Sequence, residues 1–191
     1  MASTLNTRDQ ILDCAQRLIQ IRGYNGFSFR DIANKVGVKS SSIHYHYPDK
    51  TGLAVAVATQ YRSDFVDLTD KLVTSLKTAP AILAAYAGLF KTTLEQENKL
   101  CLCGMLACEI NSVEPELHSA ISAFFSDQHD VLTAIISKGQ SEGEIHTSLD
   151  ATDFAKTYLA TLEGAMMLAR INKRPSDIQI AADQMIALIR K

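Results

Sequence analysis

The 191-residue chain contains no run of about 18 apolar residues, which excludes a membrane-spanning helix. Its first ten residues, MASTLNTRDQ, lack the apolar centre of a signal peptide, so a cytoplasmic protein with no membrane partner is expected. The four cysteines, Cys14, Cys101, Cys103 and Cys108, form no CxxC pair, which argues against a disulfide scaffold and against structural zinc. His118, His129 and His146 supply no ligand pair one helical turn apart, so no metal site is expected. There is no Gly-rich phosphate loop and no nucleophile motif, hence no expected cofactor or catalytic step. Sustained strand alternation, low-complexity tracts and repeats are also missing, leaving an all-α reading.

What is present is a 47% hydrophobic composition, ample for a real core at this length. The formal charge of −2 is unevenly spread. Residues 1–52 hold seven Lys/Arg against four Asp, and the remainder holds 12 basic and 17 acidic residues, so +3 stands against −5. Such asymmetry suits a small nucleic-acid-facing head on a body that faces something else.

Helical signals fill the chain. Thr7 and Gln10 read as a capping box, followed by Ile11, Ala15, Leu18 and Ile19 at helical spacing, with Gly23 as the stop. Ser28 begins a second helix, in which Phe29, Ile32, Ala33 and Val36 form the apolar face before Gly37. A short third helix is expected over 39–45, ended by Tyr47-Pro48, and Asp49 caps a long helix over 50–74. Further helices are expected at 80–97, 99–111, 115–141, 151–172 and 176–190, punctuated by Pro80, Pro115, Gly143, Asn172 and Pro175.

A helix at 28–36, a turn at Gly37-Val38 and a second short helix have the layout of a helix-turn-helix, whose second helix enters the major groove. That helix offers Lys39, Ser40, Ser41, Ser42 and His44 outward, while Val38 and Ile43 can anchor it. Short hydroxyls allow close approach and bond either phosphate or base edge. Arg30 has the reach for guanine, and His44 can meet a purine edge in a manner set by its tautomer. Lys50, at a helix N-terminus, reads as a phosphate clamp, and Tyr45, His46 and Tyr47 as further donors. Tyr45 and Tyr47 suit the head's small core equally well, and Ser28 is a cap before it is a phosphate contact.

Residues 7–53 resemble the N-terminal domain of the TetR (tetracycline-repressor-like) family of transcriptional regulators. The resemblance rests on Ile11-Leu12, Ala15, Leu18, Gly23-Tyr24, Phe27-Ser28, Asp31-Ile32-Ala33, Val36-Gly37-Val38 and Ile43-His44-Tyr45-His46-Tyr47, with Lys50 and Leu53. It implies an N-terminal three-helix DNA-binding domain over 1–52 and a larger helical domain over 53–191 that binds an effector and dimerises. By position it implies base-edge reading by Arg30, Ser40, Ser41, Ser42 and His44, and phosphate contacts from Ser28, Tyr45, His46 and Lys50. The implied partners are a double-stranded operator of two inverted half-sites, a second copy of the chain, and a small-molecule effector. A repressor released by its effector is the leading expectation; an activator with a non-switching body and a small cysteine enzyme are the alternatives.

The body is less explicit. Helices 115–141 and 151–172 carry apolar stripes that include Phe124, Phe125 and Leu132, and Leu162 and Met166, suited to a four-helix dimer interface or to an ordinary core. An effector pocket is expected around Tyr86, Phe90, Cys101, Cys103, Met105, Glu109 and Tyr158. Some regulators of this family sense oxidants or electrophiles through a cysteine near the start of this region, and Lys99 would favour a thiolate at Cys101 or Cys103 if these sit in the first turn of that helix. Small buried hydrophobes are the commoner use of such cysteines.

Overall fold

The computed structural model describes residues 6–191, and among these the secondary structure is helical. The only β contact among them is an isolated antiparallel bridge between Ile145 and Arg190. The helices are α1 (Thr7–Arg22), α2 (Phe29–Val36), α3 (Ser40–His46), α4 (Lys50–Ser75), α5 (Ala79–Glu95), α6 (Leu102–Cys108), α7 (Pro115–Ser141), α8 (Ala151–Asn172) and α9 (Ser176–Ile189). A short 3₁₀ turn spans Ile110–Ser112.

Local chemistry accounts for most of the boundaries. The cap of α1 is Asn6, whose side chain accepts from the Asp9 amide at 3.0 Å; Thr7, expected in that role, is already helical. Ser28 and Asp31 form a reciprocal capping box at the start of α2. Gly37 ends α2 in the left-handed region at φ 78°, where a side chain would be strained. Asp150 caps α8 through the Asp153 amide, and Lys173 takes the left-handed position at its end.

The chain divides into two compact units. One runs to Ser63 and takes in Leu102–Phe124; the other comprises Asp64–Cys101 and Phe125–Lys191. In the first, α1 packs against α2, α3 and α6, and α2 against α3. Its core holds Ile11, Leu18, Ile32, Ile43 and Leu53. In the second, α5, α8 and α9 pack on one another around Leu83, Tyr86, Tyr158 and Leu162.

The packing places the residues expected to matter in the body. Leu132, Leu162 and Met166 are buried in the second unit's own core, and Phe124 is buried against Tyr61 in the first unit. Phe125 is half-buried. In addition, α6 begins at Leu102, so Cys101 precedes it, whereas Cys103 lies in its first turn. The Lys99 ammonium donates to the Gln96 side chain at 3.3 Å.

Candidate nucleic-acid interface

Helix α3 is held by one deep anchor, Ile43, which is fully buried, while Ser40, Ser41, His44 and Tyr45 are exposed and Ser42 and His46 half-exposed. Arg30 on α2 and Lys39 before α3 are exposed too. A helix so short gains little from propensity, so its orientation depends on Ile43 and on the packing of α2. Tyr47 turns inward and is 5% exposed, whereas Tyr45 is 84% exposed, with its ring edge-on to His46 at 5.2 Å. The two tyrosines, equivalent in the sequence, therefore divide between core and surface.

His44 has a fixed posture. Its ring lies against Phe29 at 4.8 Å, and Nδ1 is 3.2 Å from the Pro48 carbonyl. A carbonyl only accepts, so the Nδ1 hydrogen is inferred and Nε2 of the neutral ring is left as an acceptor. Neutral His44 thus suits an exocyclic amino group of adenine or cytosine; donating to a purine N7 requires the charged ring.

Two residues expected at phosphates have other work. The Ser28 hydroxyl donates to Asp31 Oδ2 at 2.5 Å and accepts from the Asp31 amide at 3.3 Å, so its one proton is committed to the cap. These bonds from Ser28 hold the Asp31 carboxyl below its ordinary range. Lys50 points inward: Nζ donates to the Phe27 carbonyl at 2.6 Å and sits 4.4 Å from the Phe27 ring centroid and 4.7 Å from that of Tyr24. Burial lowers its pKa, against the opposing pull of Glu109 and Asp31. The N-terminus of α4 is likewise occupied, because Asp49 accepts from the Gly52 amide at 2.7 Å. Lys50→Met is therefore expected to cost about 1–3 kcal/mol of stability through the orphaned Phe27 carbonyl. A phosphate contact would instead lower the salt slope of DNA binding by about 0.9. Denaturant unfolding beside a salt titration of DNA affinity separates the two.

The sequence reading missed a latch on the α1–α2 loop. Glu109 Oε2 accepts from the Asn25 backbone amide at 2.8 Å and from the Asn25 side chain at 2.6 Å. Asn25 also donates to Ser112 at 2.8 Å. Gly23, at φ 82°, leaves no room for a Cβ beside the Glu109 carboxylate and the Met105 side chain. Glu109 and Met105, expected in an effector pocket, thus serve the first unit. A separation of 84 residues leaves no trace of this pairing in local spacing.

The remaining expected pocket residues gather differently. Tyr86, Phe90, Cys101 and Tyr158 lie inside the second unit, and Cys103 is fully buried at the start of α6. Tyr86 donates to Gln128 at 3.0 Å and Tyr158 to the Leu83 carbonyl at 2.8 Å. Burial raises the pKa of both phenols. A surface groove of about 730 Å³ is lined by Thr78, Glu144, Asp183 and Arg190 among others, and Asp183 is close enough to act on the Tyr158 phenol.

A short polar helix, anchored by one isoleucine and supported by a capped helix across a glycine turn, defines a helix-turn-helix DNA-binding protein. Residues 11–57 match the model for bacterial regulatory proteins of the tetR family, and residues 80–185 match a tetracyclin repressor-like C-terminal domain. The chain belongs to the TetR family of DNA-binding transcriptional regulators. A TetR-family regulator from Agrobacterium tumefaciens shares 30% identity and superposes with a TM-score of 0.93, covering 96% of this chain and 97% of that one. A TetR regulator from Legionella pneumophila is 27% identical, with a TM-score of 0.88 and full coverage of both chains. The fatty acid metabolism regulator protein of Bacillus subtilis is 21% identical over 94% of this chain and 92% of its own length. These relatives are regulators of transcription, not enzymes. Regulators of this family bind DNA and act as dimers. Among the described residues no helix is long and apolar enough to cross a membrane.

Proposed function

We propose that the protein is a cytoplasmic repressor that binds an operator of two inverted half-sites as a homodimer and leaves it when a small molecule occupies the body. The observation that carries this is the exposed α3 surface of Ser40, Ser41, His44 and Tyr45 on its Ile43 anchor. Residues 1–52 form the DNA-binding head and 53–191 the effector-binding and dimerising part. Arg30 and the α3 side chains read bases, and Lys39, Tyr45 and His46 reach phosphates.

The dimer face is the outer side of α8 and α9. Leu168 and Ile171 on α8 are 63% and 79% exposed, and Ile180 and Leu188 on α9 are 54% and 74% exposed. Gly164 on α8 has open space where a Cβ would stand, which permits close approach of a second helix. Large aliphatic side chains on one helix pair mark a surface that a partner covers. Ile171→Ser is expected to weaken self-association about tenfold, following the loss of roughly 1.5 kcal/mol of burial. Sedimentation across a concentration series checks this, and an unchanged dimer would exclude Ile171 from the interface.

Cys101 lies just before α6, where its thiol donates to the Glu163 carboxylate, and Glu109 follows α6, where it latches Asn25. Burial disfavours Cys101 and Cys103 as oxidant sensors, whereas Cys108 is exposed. Release of bound operator by small-molecule fractions from the source cells tests the repressor reading; retention of DNA in every fraction would contradict it.

A further inference from the structure

Glu163 is an anomaly in the second unit. Its stem is partly exposed, but the carboxylate oxygen Oε1 is buried with no hydrogen-bond partner. The other support visible for its charge is the Cys101 thiol. A buried carboxylate without a neighbouring cation is costly, and native proteins keep such groups where they serve a ligand. Nearby, the Gln128 amide nitrogen is also buried and unpartnered, while its oxygen accepts from Tyr86.

Tyr86 joins these groups to an aromatic cluster. Its ring centroid lies 5.8 Å from that of Phe65 on α4 and 5.8 Å from that of Phe90, and Phe65 and Phe90 are 6.3 Å apart. Tyr86 also lies within electrostatic range of Glu163, Cys101 and Tyr158. Ring faces carry negative potential, so aromatic rings beside a carboxylate attract a cation, above all one with diffuse charge. Gln128 further lines a groove of about 280 Å³ whose walls include Asp70, Asp127 and Asp130. Three carboxylates at that groove raise the local concentration of cations and repel anions.

We propose that the second unit binds an organic cation, an ammonium compound of small size, held between the Glu163 carboxylate and the Phe65, Tyr86 and Phe90 rings. This rests on the effector-responsive reading above and names the chemical class of the effector. Gln128 contributes its spare amide hydrogens to an acceptor atom on the same molecule, such as a hydroxyl. Because the rings pack on one another, the cation enters by parting them. Phe65 belongs to α4, Tyr86 and Phe90 to α5, and Glu163 to α8, so entry displaces three helices at once.

The test uses calorimetric titration of the full chain with choline and with its neutral carbon isostere, dimethylbutanol. Choline is expected to bind at least tenfold more tightly than the isostere, because only the charge differs. Glu163→Gln is expected to abolish that preference, and Phe90→Leu to weaken choline binding severalfold while leaving the chain folded. Failure of choline to bind, equal binding of the two compounds, or an unchanged preference in Glu163→Gln would each overturn the proposal. Release of operator by a neutral or anionic compound that competes with no cation would overturn it as well, while leaving the responsive-repressor reading intact. A chain that binds choline yet never releases operator would keep the site and refute the repressor reading.

Discussion

Glu163→Gln is expected to stabilise the folded chain by about 2 kcal/mol near pH 8 and to remove a pH dependence that the parent chain shows. Burial pushes the Glu163 carboxyl up from 4.5 to about 7, with the Cys101 thiol opposing the shift by donating to the charged form. The groups facing it are Cys101 ahead of α6 and Tyr86 from α5, and neither is a cation. A carboxyl whose pKa is higher folded than unfolded holds its proton more firmly in the native state. Its favourable contribution is complete below about pH 4.5 and is lost as pH rises through about 7. The parent chain therefore grows less stable across that window, and the glutamine variant does not. The full linkage is worth roughly 3 kcal/mol, reduced because the new amide brings its own unpaired N–H. Denaturant midpoints at both ends of the window give the result directly; parallel pH profiles for the two proteins would show that Glu163 is ionised and solvated throughout.

Ser41→Glu is expected to lower operator affinity at least a hundredfold, about 3 kcal/mol, without unfolding the head. Ser41 is exposed and lies in the first turn of α3, where a carboxylate is favoured by the helix dipole. The folded head should thus keep its thermal midpoint. In the groove the same carboxylate meets phosphates and base-edge acceptors, and a like charge there costs several kcal/mol. Ser41→Ala separates charge from lost hydrogen bonding, with an expected loss of tenfold or less. Fluorescence anisotropy on labelled operator at fixed salt measures both. Equal affinities for the parent chain and Ser41→Glu would remove α3 from the interface.

The architecture was largely legible in the sequence because its punctuation is chemical. Pro115 marks the start of α7 and Asn172 the end of α8, and both helices run over the residues expected, Pro115–Ser141 and Ala151–Asn172. The α2–α3 motif was legible for the same reason: Ser28, Asp31 and Gly37 each have a local task that the structure confirms. Local patterns say less about direction. Leu132, Leu162 and Met166 form an apolar stripe, but a stripe reads alike whether it faces the chain's own core or a partner. The exposed Leu168 and Ile171 lie only a few residues further around α8.

Charge was the other source of misplacement. A lysine at the start of a helix reads as a phosphate clamp, yet Lys50 is drawn inward by the Phe27 carbonyl and two rings that only tertiary packing supplies. Glu109 looked like a pocket residue by its distance along the chain from Cys101 and Cys103, whereas its partner is Asn25. Glu163 stood in the sequence as one polar position on an amphipathic helix. Its significance comes from the burial of its carboxylate, which helical periodicity does not report.

The most direct test of the central claim is selection of sheared source DNA by the purified chain at fixed, moderate salt, followed by sequencing of what is retained. Salt must be held because counterion release alone drives non-specific binding. An α3 that reads the major groove in a dimer predicts one enriched inverted repeat, with half-site centres about one helical turn, roughly 34–36 Å, or a multiple of it apart. The same selection with Ser41→Glu should return no enrichment. Retention of DNA without any shared repeat, or an identical repeat recovered by the variant, would contradict the assignment of α3 as the reading helix.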